Sequence, residues 1–97
     1  MMKQQLYAIL DEKAALYLPP FTSQNDNTAI REFSAAIGQE GHKFNTHSED
    51  FSLWALGSFD QETGAIQPND PKIVTNALTV RERMHQLAAE RDRLQAV

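Results

Sequence analysis

Apolar residues fall into short blocks along the chain, and the period of each block names an element. Residues 5–10, QLYAIL, and 15–18, ALYL, are two apolar runs around a short polar break. They predict a hairpin turning near Asp11–Lys13. Pro19 and Pro20 donate no ladder hydrogen bond, so they end the second strand and hold its exit extended, with Phe21 folded back onto the core. In TSQNDN, Asn25 is an N-cap and Asp26 stands in the first turn, at the positive end of the helix dipole. Ala29, Ile30, Phe33, Ala36 and Ile37 then keep the i, i+3, i+4, i+7 spacing of one buried helix face. Arg31 and Glu32 stay outside that face, and Gly38 is the stop.

Residues 39–50, QEGHKFNTHSED, have no period and predict a loop bent at Gly41. FSLWALGSF alternates, with Phe51, Leu53 and Ala55 pointing one way and Trp54 and Leu56 the other. Both sides are partly apolar, which places this strand centrally in a sheet. DQETG is a hairpin turn with Gly64 at its bulge, and the returning strand starts at AIQ and is cut short by Pro68. Asp70 as cap and Pro71 at the first position predict a helix from there. Along it Ile73, Ala77, Val80, Met84, Leu87, Arg91 and Leu94 alternate steps of four and three, an a/d seam. A second reading starts the helix at Thr79, with Glu82 closing a capping box.

These elements predict an α+β fold: a small antiparallel sheet of two hairpins, one helix over about 26–37 packed on it, and a long C-terminal amphipathic helix. The division is a body over 1–69 and a helix over 70–97. Four short strands are one too few for a closed oligonucleotide-binding barrel. A helix from 70 outruns a body of this size, so the seam of Ile73, Ala77, Val80, Met84, Leu87 and Leu94 is expected to join copies of the chain.

Charge changes the picture in one respect. Residues 1–70 carry Lys3, Lys13, Arg31 and Lys43 against ten acids, a net −6. Residues 71–97 carry Lys72, Arg81, Arg83, Arg91 and Arg93 against three acids, a net +2. A nucleic-acid binder presents a basic face, and the C-terminal segment offers the one concentration of bases. With no cysteine, disulfides and thiolate metal sites are excluded. No run reaches the ~20 apolar residues of a membrane span, and the N-terminus has no signal-peptide pattern. A soluble, intracellular protein without membrane contact is expected.

His42, His47, Glu49 and Asp50 are close in sequence, but without a helical histidine pair they fit turn and cap roles better than a metal centre. No nucleophile stands in a catalytic setting and no Gly-rich phosphate loop occurs, so neither an enzyme nor a cofactor is expected. Trp54 stands opposite Phe51 and Leu53 and is the best candidate for stacking on a base.

Four patterns recur in one order: D-x-K-A-x-x-Y-x-P-P-F from Asp11 to Phe21, N-x-x-x-A-I-R-x-F from Asn25 to Phe33, H-x-E-D-F-x-L from His47 to Leu53, and G-x-F-D-x-x-T-G from Gly57 to Gly64. Over residues 5–66 the chain resembles the small nonstructural protein of gokushoviruses, Microviridae phages with circular single-stranded DNA. Ser48 stands where that family usually has proline. The resemblance implies a DNA-binding replication protein, acting in the bacterial cytoplasm, that helps switch from duplex to single-stranded genome synthesis. Its expected partners are single-stranded DNA, further copies of itself and a phage replication or capsid protein. The DNA-contact set expected from charge and exposure is Lys13, Arg31, Trp54, Arg81, Arg83, Arg91 and Arg93. The competing reading is a protein–protein adaptor with little direct DNA contact.

Overall fold

Apolar side chains on both faces of residues 6–10 force this segment into the middle of the fold. The computed structural model, which describes residues 3–95, shows how it is surrounded. In chain order the elements are β1 (Lys3–Asp11), β2 (Leu16–Tyr17), β3 (Phe21–Ser23), α1 (Asp26–Ile37), the one-turn helix α2 (Lys43–Thr46), a 3-10 turn (Ser48–Asp50), β4 (Phe51–Asp60), β5 (Ile66–Asn76) and α3 (Ala77–Gln95). All strand pairs are antiparallel. The order is β2-β1-β4-β5, and β3 also pairs with β1. This is the α+β architecture expected, with a five-stranded sheet.

β2 and β3 are one edge strand interrupted by two prolines. Leu10 pairs with Tyr17, and after Pro19 and Pro20 the pairing resumes with Tyr7 opposite Phe21, out of step by one residue. Leu18 N still donates to Ile9 O at 2.8 Å, so the ladder breaks only where no N–H exists. Phe21 then stacks on Tyr7 with centroids 5.9 Å apart, the core-sealing role expected of it.

One face of the sheet carries the helices. Tyr7, Ile9, Phe51 and Leu53 meet Ala29, Phe33 and Ile37 of α1, Phe44 of α2, and Ala77 and Val80 of α3. α1 begins as expected: Asn25 Oδ1 accepts from Thr28 N at 2.9 Å, and Gly38 ends it. Asp26 in its first turn also accepts the Tyr7 hydroxyl at 2.7 Å, which ties the helix start to β1.

Three expectations are corrected. Residues 39–50 are not a plain loop. His42 Nδ1 accepts from Phe44 N at 3.0 Å and starts α2, which delivers Phe44 to the core, 4.7 Å from the Phe51 ring. Pro68 does not end the returning strand, because β5 is an edge strand and a missing N–H there leaves no ladder partner unsatisfied. Asn69, Asp70 and Pro71 bulge out between the Gly57–Pro68 and Ala55–Lys72 pairs. The helix therefore starts neither at Asp70 nor at Thr79 but at Ala77, capped by Asn76 Oδ1, which accepts from Thr79 N at 2.8 Å. The β-branched run Ile73-Val74-Thr75 extends the sheet instead, so the 69/70 division falls inside a strand. The helix positions expected at Ala96 and Val97 lie outside the described residues.

The bulge in β4 opposite β5 requires glycine. A Cβ on Gly57 would lie 2.2 Å from the Gln67 carbonyl oxygen, so the two strands approach there as closely as bare backbone allows.

Burial, and then the hydrogen bond to Asp26, push the Tyr7 phenol well above its ordinary range. A phenol with a higher pKa folded than unfolded holds its proton more tightly in the folded chain. Its contribution is complete below about pH 10 and is lost as pH rises through the folded value. Tyr7→Phe should cost about 1 kcal/mol at neutral pH. It should also flatten the loss of stability above about pH 10, as read by urea melts at a series of alkaline pH values.

Candidate nucleic-acid interface and the uncovered sheet face

Helix α3 has two halves with different surroundings. Ala77 and Val80 are buried and Met84 packs beside them, against α1 and the 3-10 turn. Met84 Cε would lie 3.2 Å from a Cβ placed on Gly38, so the helix crosses α1 at its end. Beyond Met84 every described residue is exposed. The expected intermolecular seam is corrected accordingly. Ile73 is not on the helix but in β5, paired with Trp54. Ala77, Val80 and Met84 are used by the chain's own body, because Phe33, Ile37 and Phe44 leave an apolar surface there to cover. Leu87, 48 % exposed, edges a groove beside Ile30 of α1, and Leu94, 76 % exposed, stands clear of the body.

The bases separate in the same way. Arg81 is half-buried, its Nη1 donates to Ser48 Oγ at 3.4 Å, and its buried Nε has no partner among the described residues. It braces α3 against the 3-10 turn. With Asn45 and His85 it lines a groove of about 280 Å³. Arg83 lines the opposite groove, with Ile30, Ser34 and Leu87. Arg83, Leu87, Arg91 and Leu94 follow steps of four, four and three, so they form one exposed stripe that starts beside α1 and runs out along the free half of the helix. Glu82, Asp92 and Arg93 lie off that stripe, whereas Glu90, three residues after Leu87 and four before Leu94, lies on it. Lys13 is exposed on the β1–β2 turn and Arg31 is exposed on α1. The structure gathers neither into the stripe.

The second surface is the sheet face opposite the helices. Side chains of directly paired residues in an antiparallel ladder point to the same side. The β1–β4 pairs on the free side are Leu10–Ser52, Ala8–Trp54, Leu6–Gly57 and Gln4–Phe59. β2 adds Tyr17 opposite Leu10, β3 adds Thr22, and β5 adds Ile73, Pro68, Ile66 and Asn76. None of these residues is charged. Trp54 Nε1 donates to Ser52 Oγ at 2.8 Å, and its ring meets Tyr17 edge-on at 6.4 Å. On the helix side the sheet turns polar once it passes the helices: Lys3, Gln5, Ser58, Asp60 and Gln67. On the free side it stays uncharged to the far end, where Gln4 stands beside Phe59 and Ile66. The composition of this face was not anticipated. The alternation of Leu6, Ala8 and Leu10 was visible in the sequence, but which side the helices cover was not.

His42 and His47 have local roles. His42 caps α2, and the His47 ring lies 2.9 Å from Thr46 Oγ1 through Nδ1. No described helix is long and apolar enough to cross a membrane.

Val80→Asp should cost about 3 kcal/mol or more, since it buries an unpaired carboxylate. Leu87→Asp should cost less than about 1 kcal/mol. Paired thermal melts check the boundary between the packed and the free half of α3.

No solved structure matches the chain. The curated Protein ORF5 of Chlamydia phage 1, a gokushovirus, is 36 % identical over 73 residues, covering 71 % of this chain and 76 % of that protein. The model of the phage ORF5 protein family matches residues 4–80, from β1 to the last buried residue of α3, and the chain belongs to that family.

Proposed function

We propose that the chain is a nonenzymatic accessory of phage genome replication that binds single-stranded DNA, in line with the gokushovirus resemblance. The observation that carries this reading is the stripe Arg83–Leu87–Arg91–Leu94. It places two guanidinium groups, with the Glu90 carboxylate between them, beside apolar side chains on an exposed helix face, where Arg83 and Leu87 edge a groove against α1. Guanidinium groups suit phosphates and stack on bases, and the leucines offer apolar contact to bases exposed in a single strand. The chain as a whole is acidic, net −4, so contact through so few bases is weak and strongly salt-dependent.

Trp54, the residue expected to stack on a base, serves this reading poorly. Its indole lies in an uncharged face, and the acids Glu12, Glu62 and Asp70 sit on the turns and bulge beside the sheet.

The second reading, an adaptor that docks on another protein, is favoured by the same uncharged face. Fluorescence anisotropy with a labelled oligothymidylate separates the two readings. The wild type should bind at low salt and weaken as salt rises. Arg83→Gln with Arg91→Gln should lower the slope of log affinity against log salt by about 1.4, two contacts at about 0.7 each. Arg93→Gln, off the stripe, should change it little. Absence of binding by the wild type at low salt would remove the DNA reading and leave the adaptor.

A further inference from the structure

The free sheet face combines size, absence of charge and an internal pattern of large and small residues. Its footprint follows from strand geometry. β4 has ten residues, about 33 Å at ~3.3 Å each, and four strand positions at ~4.8 Å span about 19 Å. The resulting area, roughly 600 Å² before corrugation, approaches the ~800 Å² per partner of a standard stable interface. Ile66 and Ile73, at opposite ends of β5, are 58 % and 51 % exposed.

The four central pairs form a checkerboard. Along β1 the order is Leu10, Ala8, Leu6, Gln4, and beside them on β4 it is Ser52, Trp54, Gly57, Phe59. In the first three pairs a large side chain neighbours a small one, and the large one changes strand at each step. A two-fold axis running along the strands, midway between β1 and β4, exchanges the two columns. It lays Leu10 over the partner's Ser52, Trp54 over the partner's Ala8 and Leu6 over the partner's Gly57. Alternation of large and small residues across facing layers is what lets two sheets interdigitate at about 10 Å. The Trp54 donor is already satisfied by Ser52 at 2.8 Å, so covering the indole orphans no polar group.

We infer that a second copy of this chain covers the free face, sheet against sheet, in an isologous dimer with its helices on the two outer sides. The contact itself buries no charge, since none of the side chains on this face is ionisable at neutral pH. Polynucleotide would meet no cation on this face.

Light scattering tests the inference. The wild type should have twice the 10.9 kDa mass of one chain. Ile66→Lys with Ile73→Lys places four lysines in the dimer and should halve the mass, with the circular dichroism spectrum unchanged because both positions are exposed in the single chain. Leu87→Asp, on the free half of α3, should leave the dimer mass as it is. If the lysine variant unfolds, Trp54 emission of the wild type on dilution replaces it, and should shift to the red as the mass halves. A wild type that keeps the single-chain mass at all concentrations overturns the inference. So does a folded lysine variant that keeps the wild-type mass, or a dimer dissolved by Leu87→Asp. A single-chain wild type whose Trp54 emission responds to oligothymidylate would assign the face to DNA instead.

Discussion

The β1–β4 ladder is the constraint on which the other elements depend. Nine residues of β1 pair with β4, and each further element attaches to one of the two. β2 and β3 share the outer edge of β1, and β5 takes the outer edge of β4. Tyr7, Ile9 and Leu53 on one side of the ladder give α1, α2 and the start of α3 a common apolar floor. The hydroxyl of Tyr7 then fixes where α1 begins, through Asp26. A slip of one residue in this ladder would exchange its two faces. The residues now under the helices would point into water, and the checkerboard of the free side would face α1. The bulge at Leu56, kept open by Gly57, sets the register on the far half of the ladder.

Elements governed by local chemistry were legible in the sequence. The cap at Asn25, the period of α1 and the turn at Asp60–Gly64 are all local signals, and all lie where they were expected. The central position of β4 followed from apolar residues on both of its sides. Residues 66–76 were misread because their local signals conflict. Asp70-Pro71 has the form of a helix start, while Ile73-Val74-Thr75 favours a strand. Pairing with β4 decides for the strand, and that long-range term has no local signature. The heptad spacing from Ile73 to Leu94 was real as a pattern, but it runs across a strand, a buried helical turn and a free helix end. Of the DNA-contact residues chosen from charge, only Arg83 and Arg91 share a surface. Arg81 was not separable from them in sequence, since its bracing role depends on Ser48, far away in the chain.

Helix and sheet divide the polar surface between them. The free half of α3 carries charges on all sides and extends the molecule to 54 Å in its longest dimension. The free face of the sheet carries none. The match to the ORF5 family spans the whole sheet and stops at Val80, before the four arginines of α3. The surface offered to a second copy therefore lies within the matched region, and the basic stripe lies beyond it.

Prolines stand on both edges of the sheet: Pro19 and Pro20 where β2 gives way to β3, and Pro68 and Pro71 along β5. An unprotected edge strand templates the next chain and can do so without limit. Each of these prolines removes a donor and bends or interrupts the edge that would be copied. Growth of the sheet sideways is thus closed at both margins, while its flat side stays open. A stacked pair consumes that flat side completely, so such an assembly ends at a fixed size and does not propagate into a fibre.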